Sequence, residues 1–243
     1  MPQKPIDSIE DLKACLLNAK AFRRVNNRPF ITISYAQSVD GSIAARNRQP
    51  IHLSGPESSA LTHQIRAYCD AILVGIGTVL ADDPRLTVRL AKGINPQPII
   101  LDTHLRTPPN AKLVKRSDPG PWIINETNSR EDRTAALKKA GAKPISCVTA
   151  HDGKIDLCAL MAMLSELKIN SIMVEGGAQV ITSFINSRLV DQFIITVSPR
   201  LVGGLQVIDS KGLNTESNLT LDRVSYQHLG DDLIMWARPV WKD

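Results

Sequence analysis

The amino-acid sequence predicts an α/β protein with a mostly parallel central sheet, helices on both of its faces and an antiparallel hairpin at its C-terminal end. Three observations support this class. The chain has 243 residues, of which 43% are apolar, enough for one α/β domain with a large core. Strand-like apolar runs alternate with helical patterns, as in a parallel sheet whose faces are both covered. The last segment instead contains two strand-like runs separated only by Gly230 and Asp231, which predicts a hairpin.

The N-terminal segment predicts a helix that precedes the sheet. Ser8 is a good N-cap, acidic residues follow it in the first turn, and apolar residues up to Leu17 have helical spacing. We expect residues 1–27 to form a helical extension of a single domain that spans residues 28–243.

The remaining elements follow in a regular order. Runs rich in β-branched and other apolar residues predict strands at Phe30–Ala36, Ala71–Val74, Pro98–Leu101, Trp122–Ile124, Ser171–Val174, Gln192–Val197 and Leu233–Ala237. Segments with apolar residues at helical spacing predict helices near Pro56–Tyr68, Arg130–Ala140, Leu157–Leu167 and Ala178–Arg188. A glycine-rich turn, Val202–Leu205, leads from the parallel part of the sheet to the hairpin.

Composition argues against several classes of protein. No apolar run approaches the roughly 20 residues that a membrane helix needs, and the first residues lack the apolar stretch of a signal peptide. The four cysteines lie far apart, which predicts reduced thiols and a cytoplasmic location. The net charge of +5 comes from scattered basic residues, and aromatic residues make up only 4% of the chain. We therefore expect a phosphorylated small molecule as partner, with no nucleic acid and no membrane.

Several catalytic signatures are missing from the sequence. The five histidines have no metal-ligand spacing, and no CxxC pair occurs, so we expect no metal site. The chain also contains neither a GxSxG nucleophile elbow nor a P-loop. Acyl transfer and nucleotide hydrolysis therefore lack their usual motifs.

A glycine-containing segment follows the strand at Ala71–Val74. Gly75 and Gly77 would let backbone amides approach a phosphate or a ribose, and Thr78 could cap a short helix. A dinucleotide fingerprint needs a third glycine where a leucine stands here, so the motif is only a partial match. Residues 82–89, Asp-Asp-Pro-Arg-Leu-Thr-Val-Arg, then place charges of both signs where proline stops the helix. A solvated loop is the structural alternative.

A second glycine turn follows the strand at Ser171–Val174. Glu175 ends this strand, and Gly176 and Gly177 lead into a helix. The unpaired amides and the positive dipole at a helix start suit a pyrophosphate, and Glu175 would add a carboxylate to the same crevice. A tight strand-to-helix turn explains the glycines equally well.

Two further strand ends carry polar residues. Thr103 and Arg106 follow the strand at 98–101 and could bind the 2′-phosphate of an adenosine, although a solvated turn also explains them. Asp40 and Gly41 follow the first strand and predict a turn.

Four of these segments occur in a distinctive order: Ser38–Gly41, Asp70–Arg89, Leu101–Arg106 and Val174–Ala178. The long Gly-Thr-Val-x-x-Asp-Asp-Pro-x-Leu-Thr block is highly specific. Together, from about residue 28 onward, they resemble the riboflavin-biosynthesis pyrimidine reductase family, whose fold is like that of dihydrofolate reductase. The resemblance implies a homodimer that uses NADPH to reduce the ribosylamino side chain of a pyrimidine 5′-phosphate to a ribitylamino chain.

The resemblance also implies the residues of the site. Those implied at the NADPH cofactor are Ala36, His52, Thr78, Asp82, Thr103, Gly176, Gly177, Ala178, Gln179 and Val180. Those implied around the substrate are Arg66, Leu86, Arg89 and Glu175, with the two arginines on the 5′-phosphate. Glu175 is the first candidate for the catalytic hydrogen bond to the opening sugar or its iminium, and Asp82 is the second.

Three alternatives remain open at this stage. Residues Ser34–Ser38 resemble the free-standing fungal and archaeal reductases, which act on a diamino pyrimidinone, whereas the bifunctional bacterial enzymes reduce an aminouracil. A reductase of the same fold could instead act on a pterin. A non-catalytic nucleotide-binding protein could keep the glycine turns, but phosphate binding alone needs neither Glu175 nor Asp82.

Overall fold

The computed structural model describes residues 5–208 and 219–241 and confirms the predicted α/β class. Its helices span Ile9–Leu17 (α1), Ala19–Asn26 (α2), Pro56–Tyr68 (α3), Ile76–Asp82 (α4), Glu131–Lys139 (α5), Leu157–Glu166 (α6) and Ala178–Asn186 (α7). Its strands span Phe30–Ser38 (β1), Ser42–Ala44 (β2), Ala71–Gly75 (β3), Gln97–Leu101 (β4), Trp122–Glu126 (β5), Lys143–Cys147 (β6), Ser171–Gly176 (β7), Gln192–Ser198 (β8), Leu205–Gln206 (β9), Leu219–Leu229 (β10) and Asp232–Trp241 (β11). None of the helices in these ranges is long and apolar enough to cross a membrane.

The strands form one large sheet in the order β10-β11-β8-β1-β7-β3-β4-β5-β6. Every neighbouring pair from β8 to β6 is parallel. β11 is antiparallel to β8, and β10 pairs with it as the predicted hairpin around Gly230. β2 and β9 form a separate short antiparallel pair. The mostly parallel sheet and the antiparallel end are therefore both confirmed.

Alternate residues of the central strands pack on opposite faces of the sheet, so both faces carry a core. Leu73 of β3 belongs to a cluster with α6 and α7 that includes Phe184. Its neighbours Ile72 and Val74 belong to a cluster on the other face with α4 and α5, which includes Leu137. Burial on both faces explains why these strands are continuously apolar in the sequence.

Some elements differ from the sequence prediction. β6 was not predicted because it lies at the sheet edge, contains Pro144 and buries only its last residue fully. The N-terminal helix is two helices separated at Asn18, whose backbone N–H donates to Cys15 O at 3.0 Å. Thr78 lies inside α4 rather than capping it, because the helix starts at Ile76 with Gly75 as its N-cap residue.

The N-terminal helices pack on the sheet. Leu12 of α1 is fully buried in a cluster with Phe30 of β1 and Trp236 of β11. Arg23 of α2 is also buried, and its guanidinium donates to Ser165 O at 2.7 Å. The separation of residues 1–27 from the rest as an extension remains a prediction.

Helix α3 is capped by the C-terminal hairpin. The carboxylate of Asp232, at the start of β11, accepts hydrogen bonds from Gly55 N at 2.7 Å and from Ser58 Oγ. Gly55 is the N-cap residue of α3 and offers no side chain of its own. A residue from the far end of the chain therefore satisfies the first donors of this helix.

Candidate functional site

The candidate site lies at the edge of the sheet where the parallel strands β1, β7, β3 and β4 end. In an open α/β sheet this carboxyl edge is where ligands bind. β7 lies between β1 and β3, with Ile33 paired to Val174 and Val74 paired to Gly176. Residues that follow different strands are therefore side by side here, although they are far apart in the sequence.

Glu175 and Arg66 form a bidentate ion pair at this edge. Arg66 Nε lies 2.6 Å from Glu175 Oε1, and Nη2 lies 2.7 Å from Oε2. The Arg66 and Glu175 side chains are only 12% and 14% exposed. Burial disfavours the charged guanidinium, but attraction and hydrogen bonding to Glu175 outweigh it and raise the pKa of Arg66. The pair holds an oriented carboxylate at the end of β7.

Thr78 and the two-glycine turn join α4 to the start of α7. Thr78 Oγ1 donates to Gly176 O at 2.8 Å. Gly176 and Gly177 have φ angles of 36° and 95°, and a Cβ on Gly177 would lie 3.1 Å from Thr78 Oγ1. The first backbone bond inside α7 runs from Ile181 N to Gly177 O at 3.1 Å. The N–H groups of residues 178–180 therefore have no acceptor within the helix, an arrangement that can hold a phosphate.

The loop after α4 is held by side chains from other segments. Arg116 Nη1 donates to the carbonyls of Arg85 at 3.1 Å and Leu86 at 3.0 Å. Val88 N donates to Asn95 Oδ1 at 2.7 Å. Leu86 has a φ of 52°, is 3% exposed and packs its side chain into the core. The segment is a loop, as one alternative proposed, but a fixed one.

The same loop connects the two predicted phosphate-binding arginines. Arg66 Nη1 donates to Thr87 O at 3.1 Å, and Arg89 Nη1 donates to Thr87 Oγ1 at 2.6 Å. Arg89 N donates to Nδ1 of buried His63 at 2.8 Å. Desolvation and the charges of Arg66 and Arg85 lower the pKa of Arg89. This mutual repulsion marks a positive patch that suits an anion.

Asp82 has a different environment from Glu175. It is the last residue of α4, four residues beyond Thr78, and its side chain is exposed. Partial desolvation nevertheless raises its pKa. Of the two predicted catalytic carboxylates, Glu175 is therefore held in a buried ion pair, whereas Asp82 is exposed and forms no such pair in the described residues.

The loop after β4 carries the predicted 2′-phosphate residues. Asp102 is fully buried and accepts hydrogen bonds from Thr107 N and Thr107 Oγ1, both at 2.7 Å. Its other oxygen lies 3.9 Å from Arg106 Nε. Thr103 O accepts from Glu126 N at 3.0 Å, which ties this loop to the end of β5. Thr103 and Arg106 thus share one braced turn.

Ala36 and His52 lie on the β1 side of the site. Ala36 is near the end of β1, where it pairs with Thr196 of β8. His52 is exposed between β2 and α3, and its carbonyl accepts from Arg200 Nη1 at 2.9 Å. Arg200 O in turn accepts from Val39 N at 2.9 Å. The segment after β8 therefore contacts both the turn that follows β1 and the loop that carries His52.

Asp40 joins the turn after β1 to the glycine-rich segment after β8. Its carboxylate accepts from Ser38 Oγ at 2.6 Å, Ser42 Oγ at 2.7 Å, Val202 N at 2.9 Å and Gly203 N at 2.8 Å. These hydrogen bonds, that from Ser38 foremost, hold the pKa of Asp40 well below its ordinary value. The sequence predicted only a local turn, because the partners at 202 and 203 are distant in the chain.

His63 and Arg116 are residues that sequence analysis missed. His63 was considered only as a possible metal ligand, and Arg116 lies outside every motif. Both act on backbone atoms of the loop, and such partners leave no side-chain signature. The available signal was the position of His63 three residues before Arg66, which puts both on one face of α3.

The sequence is similar to one protein family and to several individual proteins. The family model described as the RibD C-terminal domain matches residues 29–235. The 2,5-diamino-6-ribosylamino-4(3H)-pyrimidinone 5′-phosphate reductase of Methanothermobacter thermautotrophicus is 34% identical, over 86% of this chain and 97% of its own. The reductase of the same name from Debaryomyces hansenii is 36% identical, over 77% and 83%. The riboflavin biosynthesis protein RibD of Aquifex aeolicus is 32% identical, over 87% of this chain but only 58% of its own.

Solved structures agree on the fold. The riboflavin biosynthesis reductase Rib7 of Saccharomyces cerevisiae superposes with a TM-score of 0.72 at 29% identity, covering 95% of this chain and 100% of its own. RibD of Acinetobacter baumannii superposes with a TM-score of 0.77 at 23% identity, covering 93% and 63%. The predicted fold class is confirmed by both.

Proposed function

Because the chain belongs to the RibD C-terminal domain family, we propose that it is an NADPH-dependent reductase of riboflavin biosynthesis, which converts the ribosylamino side chain of a pyrimidine 5′-phosphate into a ribitylamino chain. The observation that carries this proposal is the buried Arg66–Glu175 pair beside Arg89 at the carboxyl edge of the sheet. A sugar phosphate needs cations for its phosphate and an oriented polar group for its sugar, and this edge offers both.

The first candidate substrate is the 2,5-diamino pyrimidinone. Relatives named for this substrate align over most of their own length, 97% and 83% in the two proteins compared above. The bifunctional type of relative is matched over only 58% of its length. The second candidate is the aminouracil, because the bifunctional relatives share the same domain.

The chain's own residues fit a nicotinamide dinucleotide. The left-handed backbone of Gly176 and Gly177 forms a cradle that a Cβ would narrow, and the N–H groups of residues 178–180 would hold the pyrophosphate. Thr103 and Arg106 would bind the 2′-phosphate, which favours NADPH over NADH. Thr78 and Asp82 on α4, with Ala36 and His52 across the crevice, would complete the cofactor contacts.

The chemistry requires the opened ribosylamine to be held as an imine at C1′. When bound, NADPH supplies the hydride that reduces this carbon. Glu175 accepts a hydrogen bond from the opening sugar or the iminium N–H, and its negative charge stabilises the iminium. Because Arg66 binds both of its oxygens, Glu175 suits this acceptor role better than proton donation. Asp82, whose pKa is raised by partial desolvation, is the candidate for handling a proton.

Arg66 and Arg89 would have different roles at the substrate phosphate. Arg66 already spends Nε, Nη2 and one Nη1 proton on Glu175 and Thr87 O, which leaves two of its five N–H donors for a ligand. Arg89 is exposed, and its guanidinium donates a hydrogen bond to Thr87 Oγ1. Arg89 is therefore the main phosphate ligand, while Arg66 mainly orients Glu175. Leu86 is buried beneath this loop and would support it from the core.

The proposed setting is a homodimer in the cytoplasm. β10 is an edge strand of the sheet and carries exposed Leu221, Val224 and Tyr226, which a second copy could cover. The four cysteines are free, as in a reducing compartment. Residues 1–27 would be an extension of the domain.

Steady-state oxidation of NADPH tests the proposal directly. Purified protein is supplied with the diamino pyrimidinone ribosyl phosphate, the aminouracil ribosyl phosphate or dihydrofolate, with NADH in parallel. Turnover with the diamino compound supports the first candidate, and turnover with the aminouracil alone supports the second. Turnover with dihydrofolate alone, or none in a folded sample, would contradict the proposal.

A further inference from the structure

His63 lies beside Arg66 and Arg89, the proposed phosphate-binding residues, but has no role in the proposed function so far. It is on α3, one turn before Arg66, and its side chain is buried. Its Nδ1 accepts a hydrogen bond from the backbone N–H of Arg89 at 2.8 Å. The same helix therefore holds Glu175 through Arg66 and the start of Arg89 through His63.

We propose that His63 is a positioning residue, which sets the place of the Arg89 guanidinium by binding the Arg89 backbone. The inference rests on the proposed function, in which Arg89 binds the substrate phosphate. It adds a residue that acts through Arg89 and does not itself contact the substrate.

The backbone of Arg89 lies in a loop that is held in place by side chains. The three residues 87–89 each have a backbone group held by a different side chain: Arg66 on Thr87 O, Asn95 on Val88 N and His63 on Arg89 N. The loop belongs to neither a helix nor a strand, so no ladder of backbone bonds fixes it. His63 provides the last of these contacts before the long, exposed side chain of Arg89 begins.

The protonation state of His63 suits this role. An imidazole nitrogen accepts a hydrogen bond only when it carries no proton, so Nδ1 is bare and the proton is on Nε2. Desolvation and the adjacent charges of Arg66 and Arg89 lower the His63 pKa to about 4, which keeps the ring neutral near pH 7. The charges of Arg66 and Arg89 thus help to keep Nδ1 unprotonated, and Nδ1 in turn binds the backbone of Arg89.

Two amide variants separate this role from general packing. In His63→Asn the amide oxygen replaces Nδ1 and can still accept from Arg89 N. In His63→Gln the amide lies farther out, near the place of Nε2, so the acceptor is misplaced although size and polarity are kept. His63→Leu removes the acceptor altogether. Each variant is assayed for kcat, for KM of both substrates and for thermal stability.

We expect His63→Gln and His63→Leu to raise KM for the ribosylaminopyrimidine phosphate about tenfold, the effect of one lost buried hydrogen bond, with kcat and the KM for NADPH within about twofold. His63→Asn restores KM to within about twofold of wild type on the same argument. In an Arg89→Ala background the His63 variants have no further effect on KM.

The outcomes distinguish the inference from the function beneath it. If Arg89→Ala raises KM but His63→Gln and His63→Leu do not, the role of His63 is refuted and the proposed function stands. Equal rescue by His63→Asn and His63→Gln also refutes it, because packing alone would then suffice. If Arg89→Ala leaves KM unchanged, the phosphate assignment fails and takes the inference with it.

Discussion

Replacing Glu175 by glutamine keeps the size of the side chain but removes the charge that faces Arg66. Both side chains are more than four-fifths buried, so the guanidinium would lose its counter-ion in a poorly solvated place. Loss of one partner of a buried pair costs about 3 kcal/mol, and the amide oxygen recovers about 1 kcal/mol through the hydrogen bond it can still accept. We expect the free energy of unfolding to fall by about 2 kcal/mol in a urea titration.

The same change should lower kcat far more than it alters the KM for NADPH. An amide cannot stabilise the developing iminium by charge, and loss of one preorganised electrostatic contact lowers kcat about 100-fold. The KM for NADPH should stay within about twofold, because the proposed function assigns the cofactor phosphates to residues 178–180 and not to Glu175. Measurement requires kcat and KM for both substrates from NADPH oxidation, with each variant checked for folding.

Glu126→Gln is the matched control for this experiment. Glu126 also ends a parallel strand at the same sheet edge, but it is 36% exposed and pairs with His104 at 2.9 Å. Its conversion to glutamine should leave kcat within about twofold of wild type and change the free energy of unfolding by no more than about 0.5 kcal/mol. A Glu175→Gln enzyme with kcat within about threefold of wild type would refute the electrostatic role of Glu175.

Three other perturbations have distinct expected results. Arg89→Ala should raise KM for the phosphorylated substrate about tenfold and leave KM for the dephosphorylated compound unchanged, as steady-state kinetics would measure; an equal rise for both would contradict phosphate binding. Gly177→Ala places a Cβ 3.1 Å from Thr78 Oγ1 on a residue with a φ of 95°. We expect this variant to bind NADPH about tenfold more weakly, as measured by calorimetry. Gly153→Ala is the control, because Gly153 has a φ of 75° but open space around it, and this variant should bind NADPH with the wild-type affinity. The pKa of His63 is lowered from 6.5 to about 4, so His63 takes up a proton in the unfolded chain before it does so in the folded protein. The free energy of unfolding should therefore fall as pH drops from about 6.5 toward 4, by at most about 3 kcal/mol. Urea titrations at several pH values should show a steeper change of this free energy with pH for wild type than for His63→Asn, and an equal change in both would exclude the effect.

Sequence patterns predicted those parts of the site that depend on neighbours in the chain. The Glu175-Gly176-Gly177 junction and the end of α4 before Pro84 were both correct, because each depends on backbone conformations that particular residues impose. The strand-by-strand alternation likewise predicted that polar residues meet at one edge of the sheet.

Contacts between distant segments were beyond such patterns. Arg66 and Glu175 are 109 residues apart, and both were proposed at the site without any indication that they pair. Arg116 reaches carbonyl groups some 30 residues away, and a carbonyl looks the same at every position of a sequence. The edge strand β6 escaped prediction for a related reason, since its exposed residues carry no hydrophobic pattern.

The cap on α3 has a consequence for the order in which the protein is assembled during synthesis. Gly55 N bonds a carboxylate that is 177 residues further along the chain, so the start of the helix that carries Arg66 and His63 gains this contact only after β11 has left the ribosome. The parallel strands that form the floor of the crevice are all translated earlier. A nascent chain therefore has most of its sheet before it has a working site, and reductase activity should appear only with the last hairpin.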